Sequence, residues 1–256
     1  MHDTMANVTQ PSQPPSMTAP TTQLPHSSPG LLARLLHLAS TLLPVGAFSY
    51  SQGLEWAVES AIVTNRANAE RWIFDCLRWS VGRYEAPLLV AAQRAWLTGD
   101  DARVSELNLR MTATRETREL LAETLQMGYS LRQWCSDTGA LDAPWLERVG
   151  RIDTPVYPVL FAAVAAAWGL DARTMITVYL WTWLENQVSS AMKAVPLGQS
   201  DGQRILLAAG SVLDAVAQQV IERADVAPPS RWTTQCPGLA IASSCHEAQY
   251  SRLFRS

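Results

Sequence analysis

From Leu31 onward, apolar residues recur at three- and four-residue intervals, the spacing that lines one face of an α-helix. Leu31, Leu32, Leu35, Leu36 and Leu38 predict a short apolar helix that stops before Pro44. Leu43-Pro44-Val45-Gly46 joins a residue of fixed φ to one free to adopt positive φ, which predicts a shaped loop. Trp72, Ile73, Cys76, Leu77, Trp79 and Val81 continue at helical spacing, and Pro87 is expected to split or kink that helix. Thr98-Gly99-Asp100 ends the next piece.

Residues 101–135 read as one or two long amphipathic helices. Val104, Leu107, Leu109, Met111, Leu120, Leu121, Leu125 and Leu131 supply the buried side. Arg115, Glu116, Arg118 and Glu119 are placed on the exposed side, where opposite charges can meet. Two helices are expected after Pro155, over 159–168 and 172–194, the second capped by Asp171. Ser200-Asp201-Gly202-Gln203 fits a capping box for a helix whose apolar face is Ile205, Ala209, Val212, Leu213, Val216 and Val220. No window alternates with period two, and the strand-like run Val178–Trp181 lies inside a helical pattern. The expected class is all-α: one compact bundle of roughly eight to ten helices over residues 30–256. Residues 1–29 are Pro/Ser/Thr-rich and poor in large apolar groups, and are expected to form a disordered leader.

Composition narrows the function. The 256 residues are 48% hydrophobic and 17% charged, with a formal net charge of −3, so there is a core to build and no basic excess for nucleic acid. Lys193 is the sole lysine. The longest apolar stretch, 156–170, contains Pro158 and falls short of the roughly 20 residues of a bilayer span, so a buried helix is expected and no membrane partner. Cys76, Cys135, Cys236 and Cys245 form no C-x-x-C pair, and no apolar signal segment opens the chain. A cytoplasmic chain with reduced thiols is the expectation.

Candidate chemistry is thin. Cys245-His246 is the one adjacent thiol–imidazole pair, a type that suits nickel or zinc, but only Glu247 and the more distant Cys236 could add ligands. Neither a nucleophile elbow nor a P-loop is present. No catalytic, cofactor or metal site is therefore assigned, and the chain is expected to bind proteins rather than catalyse. Core filling accounts for most of the ten tryptophans. The last residues combine Tyr250, Arg252, Leu253, Phe254 and Arg255, unusual for a terminus. Such a tail either docks on its own domain or forms an interface.

Four ordered segments resemble the UreF family of urease accessory proteins. The run from Leu43 to Glu55 is similar to its LPVGxFxxSxGLE segment. Arg115-Glu116-Thr117-Arg118 with Gln126-Met127-Gly128 is similar to its central helix. Pro196-Leu197-Gly198-Gln199-Ser200-Asp201-Gly202-Gln203 resembles PLGQxDGQ, and residues 246–256 resemble the HExxYSRLFxS tail. Ala47 and Ala248 depart from the usual family residues. The resemblance implies an all-helical homodimer in the cytosolic machinery that inserts nickel into urease. There it would bridge UreD/UreH and the GTPase UreG on the way to the urease apoprotein. It also implies that the tail orders against UreD/UreH. By motif position, Pro44, Gly46, Phe48, Tyr50, Glu247, Tyr250, Arg252 and Phe254 become candidate partner-contact residues. Two alternatives stay open: a direct regulator of UreG hydrolysis with Arg252 or Arg255 as an inserted finger, and a nickel carrier using Cys245 and His246.

Overall fold

A computed structural model describes residues 28–256, and the predicted leader lies almost wholly outside them. All regular secondary structure among the described residues is helical, without a strand. The elements are α1 (Pro29–Leu38), α2 (Leu54–Glu59), α3 (Arg66–Cys76), α4 (Ala86–Thr98), α5 (Asp101–Ala113), α6 (Arg118–Thr138), α7 (Ala143–Gly150), α8 (Tyr157–Ala167), α9 (Ala172–Ala194), α10 (Gln199–Val226) and α11 (Pro237–His246). Nine π-helical residues, Leu77–Glu85, join α3 to α4 without a break, so the rods number ten when this run counts once.

Helix α8 forms the axis of the bundle. Every residue from Tyr157 to Ala166 is buried, and alanines at four positions let α4 and α6 approach closely. The apolar stretch read as a buried helix is this one. Around it, α9 pairs with α10, and α10 also covers α4 and the π-helical run. The predicted stripe of α10, from Ile205 to Val220, is buried along its length. By length and composition alone α10 also satisfies the criterion for a bilayer crossing; in the bundle its apolar stripe is packed against α9. Of the ten tryptophans, three are buried, six are half-buried and Trp79 is exposed.

Several local expectations hold. Asp171 caps α9 by accepting from the Thr174 N–H at 2.8 Å. Gly99 ends α4 with φ +74°, the left-handed turn that a residue without Cβ takes most easily.

Four expectations are corrected. Pro87 does not split its helix. It has no N–H for the Arg83 carbonyl, and the π-wound turns just before it absorb the offset, with Ala86 N–H reaching back to Val81 O. Ser200 does not cap α10; the N-cap is Gly198, two residues earlier, with no side-chain cap, and Gly202 packs against Met192 of α9. An added Cβ at Gly202 would lie 2.3 Å from the Met192 Sδ. Leu109 is 68% exposed rather than buried. Finally, Arg115 to Glu119 do not form an exposed charge ladder. The chain breaks at Thr114–Thr117 and Thr117 caps α6; Glu116 and Arg118 are exposed as expected, but Arg115 turns inward to Glu85 and Glu119 is half-buried against Arg252.

Candidate functional site: a loop and a tail fastened together

The LPVG loop is built from alternating inward and outward residues. Leu43 and Val45 are buried while Pro44 is exposed, and Gly46 takes φ +76° to turn the chain into the short 3-10 segment Ala47–Ser49. That turn leaves Phe48 62% exposed. Tyr50 then goes inward, and its carbonyl accepts from Asn186 Nδ2 at 3.1 Å, tying the loop to α9. Gly53, φ +81°, starts α2 directly against α11, where an added Cβ would sit 2.8 Å from the Ser243 backbone nitrogen.

The C-terminal tail returns to this loop. Arg255 N–H donates to the Ser49 carbonyl at 2.8 Å, and the Ser256 main-chain oxygen accepts from Ser51 N at 2.7 Å, Gln52 N at 3.0 Å and Ser51 Oγ at 2.6 Å. Ser256 Oγ donates to Glu123 Oε2 at 2.8 Å. Phe254 is buried, with the Lys193 ammonium 5.7 Å from its ring centre.

Two carboxylates organise the junction. Glu55 accepts from Leu253 N at 2.5 Å and Phe254 N at 2.9 Å, and also faces His246 Nε2 at 3.2 Å. Glu119 faces His246 Nδ1 at 2.6 Å and accepts from Arg252 Nη1 at 2.5 Å. Placed at the starts of α2 and α6, both acids are also favoured by the positive ends of those helices. Glu247 completes the join by accepting from the Glu119 N–H at 3.2 Å, with Arg118 3.6 Å away. His246 is fully buried and each ring nitrogen faces a carboxylate. Among the described residues no group of three His, Cys, Asp or Glu is arranged to hold a metal.

Behind the loop lies a polar interior. Arg115 pairs with Glu85 at 2.7 Å and donates to Thr124 Oγ1 at 2.7 Å, and the Tyr179 hydroxyl donates to the other Glu85 oxygen. Gln52 Nε2 donates to Glu123 at 2.6 Å and its carbonyl accepts from Trp183 Nε1 at 2.8 Å. Burial raises the Glu123 carboxyl to about 7, outweighing the hydrogen bonds from Gln52 and Ser256 that favour its charged form. Burial and the adjoining Glu85 charge hold the Tyr179 phenol well above its ordinary range. These groups line a cavity of about 40 Å³.

The eight residues singled out from sequence lie on the two fastened segments, in three roles. Tyr250 is fully exposed, and with Pro44 and Phe48 it faces outward. Glu247 and Arg252 line an open groove of about 440 Å³ together with Tyr50, Arg118, Glu119 and Arg255. Tyr50 and Phe254 are buried and Gly46 is half-buried, so these three hold the loop and tail in shape. Sequence reasoning missed Glu55, Glu119 and Glu123 as organisers. The one local signal was an acid on a buried stripe: Glu123 sits between Leu120 and Met127 at helical spacing, where a carboxylate needs buried partners.

The fold and this site define a helical protein whose concentrated polar chemistry fastens a loop, two helix starts and a tail into one surface. A family model described as UreF matches residues 63–210. The chain is 53% identical over 227 residues to the urease accessory protein UreF of Azoarcus sp. (strain BH72), covering 88% of this chain and 95% of that protein. It is 47% identical over 229 residues to UreF of Dechloromonas aromatica (strain RCB), covering 88% and 97%. With UreF of Delftia acidovorans (strain DSM 14801 / SPH-1) it shares 45% over 231 residues, covering 88% and 97%. The chain belongs to the UreF family of urease accessory proteins.

Proposed function

We propose that this chain bridges UreD/UreH and the GTPase UreG while nickel is inserted into the urease apoprotein, acting as a cytoplasmic homodimer and by binding alone. The observation that carries the reading is the fastening of the LPVG loop to the tail, far apart in sequence, with a charged groove lined from both segments and an exposed aromatic on each, Phe48 and Tyr250. Exposed aromatic and arginine side chains are the types that anchor protein interfaces. A dimer would present two such surfaces, related by its twofold axis. The alternative of an arginine finger acting on UreG is less well supported for Arg252, which already has Glu119 as its partner, and stays open for Arg255, which lines the same groove. A nickel-carrying role for His246 is likewise disfavoured, since both ring nitrogens face carboxylates.

The test is co-elution of UreD/UreH and UreG with the full chain and with a chain ending at Glu247. Loss of UreD/UreH from the shortened chain, with helical content unchanged, supports the bridging role. Full co-elution of both partners would refute it.

A further inference from the structure

Cys76 and Cys236 are 160 residues apart in the chain, yet their Sγ atoms lie 3.8 Å apart. Cys76 ends α3 and is buried; Cys236 immediately precedes α11 and is half-exposed. The two open onto a pocket of about 250 Å³ that also touches Trp72, Asp75 and Leu239. The segment that carries Cys236 is anchored beside this spot, because Gln235 N–H donates to the Trp79 carbonyl at 2.8 Å and Thr234 Oγ1 donates to Glu116 at 3.0 Å. The thiols are thus held near one another by contacts that do not depend on a bond between them. Nothing in the loop-and-tail site uses them.

We propose that Cys76 and Cys236 form a peroxide-reactive dithiol, with Cys236 as the attacking sulfur and Cys76 as the resolving one, and that the disulfide they close staples the tail-bearing helix α11 to α3. The asymmetry of the pair fits these roles. The contact with Cys76 lowers the Cys236 thiol to about 7, assisted by the Leu239 N–H at the start of α11 and opposed by burial. Cys76 is pushed well above the ordinary thiol range by the same contact and by burial.

The chemistry balances. The Cys236 thiolate attacks one oxygen of a hydroperoxide, forming an S–O bond and breaking O–O, and the departing oxygen takes a proton to leave as alcohol or water. Sulfur is oxidised by two electrons and the peroxide is reduced. The Cys76 sulfur then attacks the Cys236 sulfur, forming S–S and expelling hydroxide, which the Cys76 proton converts to water. Closing to the roughly 2.05 Å of a disulfide requires the sulfurs to approach by under 2 Å, within reach of side-chain rotation at the half-exposed Cys236. A dithiol reductant reverses the bond. The bond would fix the base of α11, and α11 ends in His246, whose ring both Glu55 and Glu119 hold against the tail.

The experiment treats the full reduced chain with a few equivalents of hydrogen peroxide and follows intact mass, peptide cross-links and melting temperature. The expected result is loss of two hydrogens, a single 76–236 cross-link and a Tm rise on the order of 10 °C for so long a loop, reversed by dithiothreitol. Cys236→Ser should abolish the cross-link and the Tm rise, and Cys245→Ser should leave both intact. The proposal is overturned if the wild-type chain keeps four titratable thiols, if Cys236 stops at the sulfinic acid, or if the cross-link uses Cys135 or Cys245. The wild-type mapping stands even where a variant folds poorly.

Discussion

Removing the Glu55 carboxylate should release the tail without unfolding the bundle. Glu55 accepts from two consecutive tail amides, Leu253 at 2.5 Å and Phe254 at 2.9 Å, and faces His246 at 3.2 Å. Hydrogen bonds to a charged acceptor contribute about 1.5–3 kcal/mol each. Leu253 is 66% exposed, so water replaces much of its share, whereas Phe254 is buried and loses more. A net loss of about 2–3 kcal/mol in tail docking follows for Glu55→Ala, or roughly 30- to 150-fold in the ratio of docked to undocked tail. The informative probes are amides that do not bond to Glu55 at all. Ser51 and Gln52 donate to the Ser256 oxygen, and Arg255 donates to Ser49. If the tail is one cooperative unit, hydrogen exchange at these three amides should accelerate by that same factor. Urea unfolding of α8 and α10 should stay nearly unchanged, because α2, which carries Glu55, packs mainly on α11 and α9. Acceleration confined to residues 253 and 254 would refute the single-unit docking described above.

Four further substitutions test the geometry. Gly53→Ala should destabilise the chain by about 2–5 kcal/mol, combining a left-handed backbone with a 2.8 Å clash on α11. Gly46→Ala, at φ +76° with open space around it, should lose only about 1 kcal/mol, and equal losses in urea titrations would remove the close-approach argument. Arg115→Ala leaves Glu85 buried without its cation and should lose about 3–5 kcal/mol by the same assay; a loss under about 1 kcal/mol would show that the pair is dispensable. Glu123 carries a pH signature. Its carboxyl is raised by burial from 4.5 to about 7 in the folded chain, so the folded state keeps a proton that the unfolded state releases. That contribution is complete below pH 4.5 and is lost as pH rises through 7, to a total of about 3 kcal/mol. Glu123→Gln should therefore gain stability relative to the wild type between pH 5 and 7, and a constant difference across that range would contradict the raised value.

What could be read from sequence was what local periodicity encodes. The stripe from Ile205 to Val220, the Asp171 cap and the all-apolar α8 follow from spacing and residue type alone. What could not be read depends on partners far along the chain. Arg115 looked like one rung of a surface ladder because its nearest opposite charges in sequence are Glu116 and Glu119, yet its partner is Glu85, on the π-helical run. Arg252 was singled out for a partner protein, and its carboxylate is Glu119 of the same chain. Ser200 matched a capping pattern, but α10 begins behind Gly198 with no side-chain cap, and Ser200 lies inside the helix. The candidate site was legible as two motifs. That they form one surface was not, because hydrogen bonds spanning about 200 residues leave no periodic trace.

The central claim is that loop and tail act as one partner-binding surface, and Phe48 and Tyr250 test it most directly. Both are exposed, so Phe48→Ala and Tyr250→Ala should leave circular dichroism and Tm unchanged. Titration calorimetry against UreD/UreH should then show each substitution weakening affinity by roughly tenfold or more, while Leu207→Ala on α10, 83% exposed, has no effect. Wild-type affinity in both the Phe48 and Tyr250 variants would contradict the account.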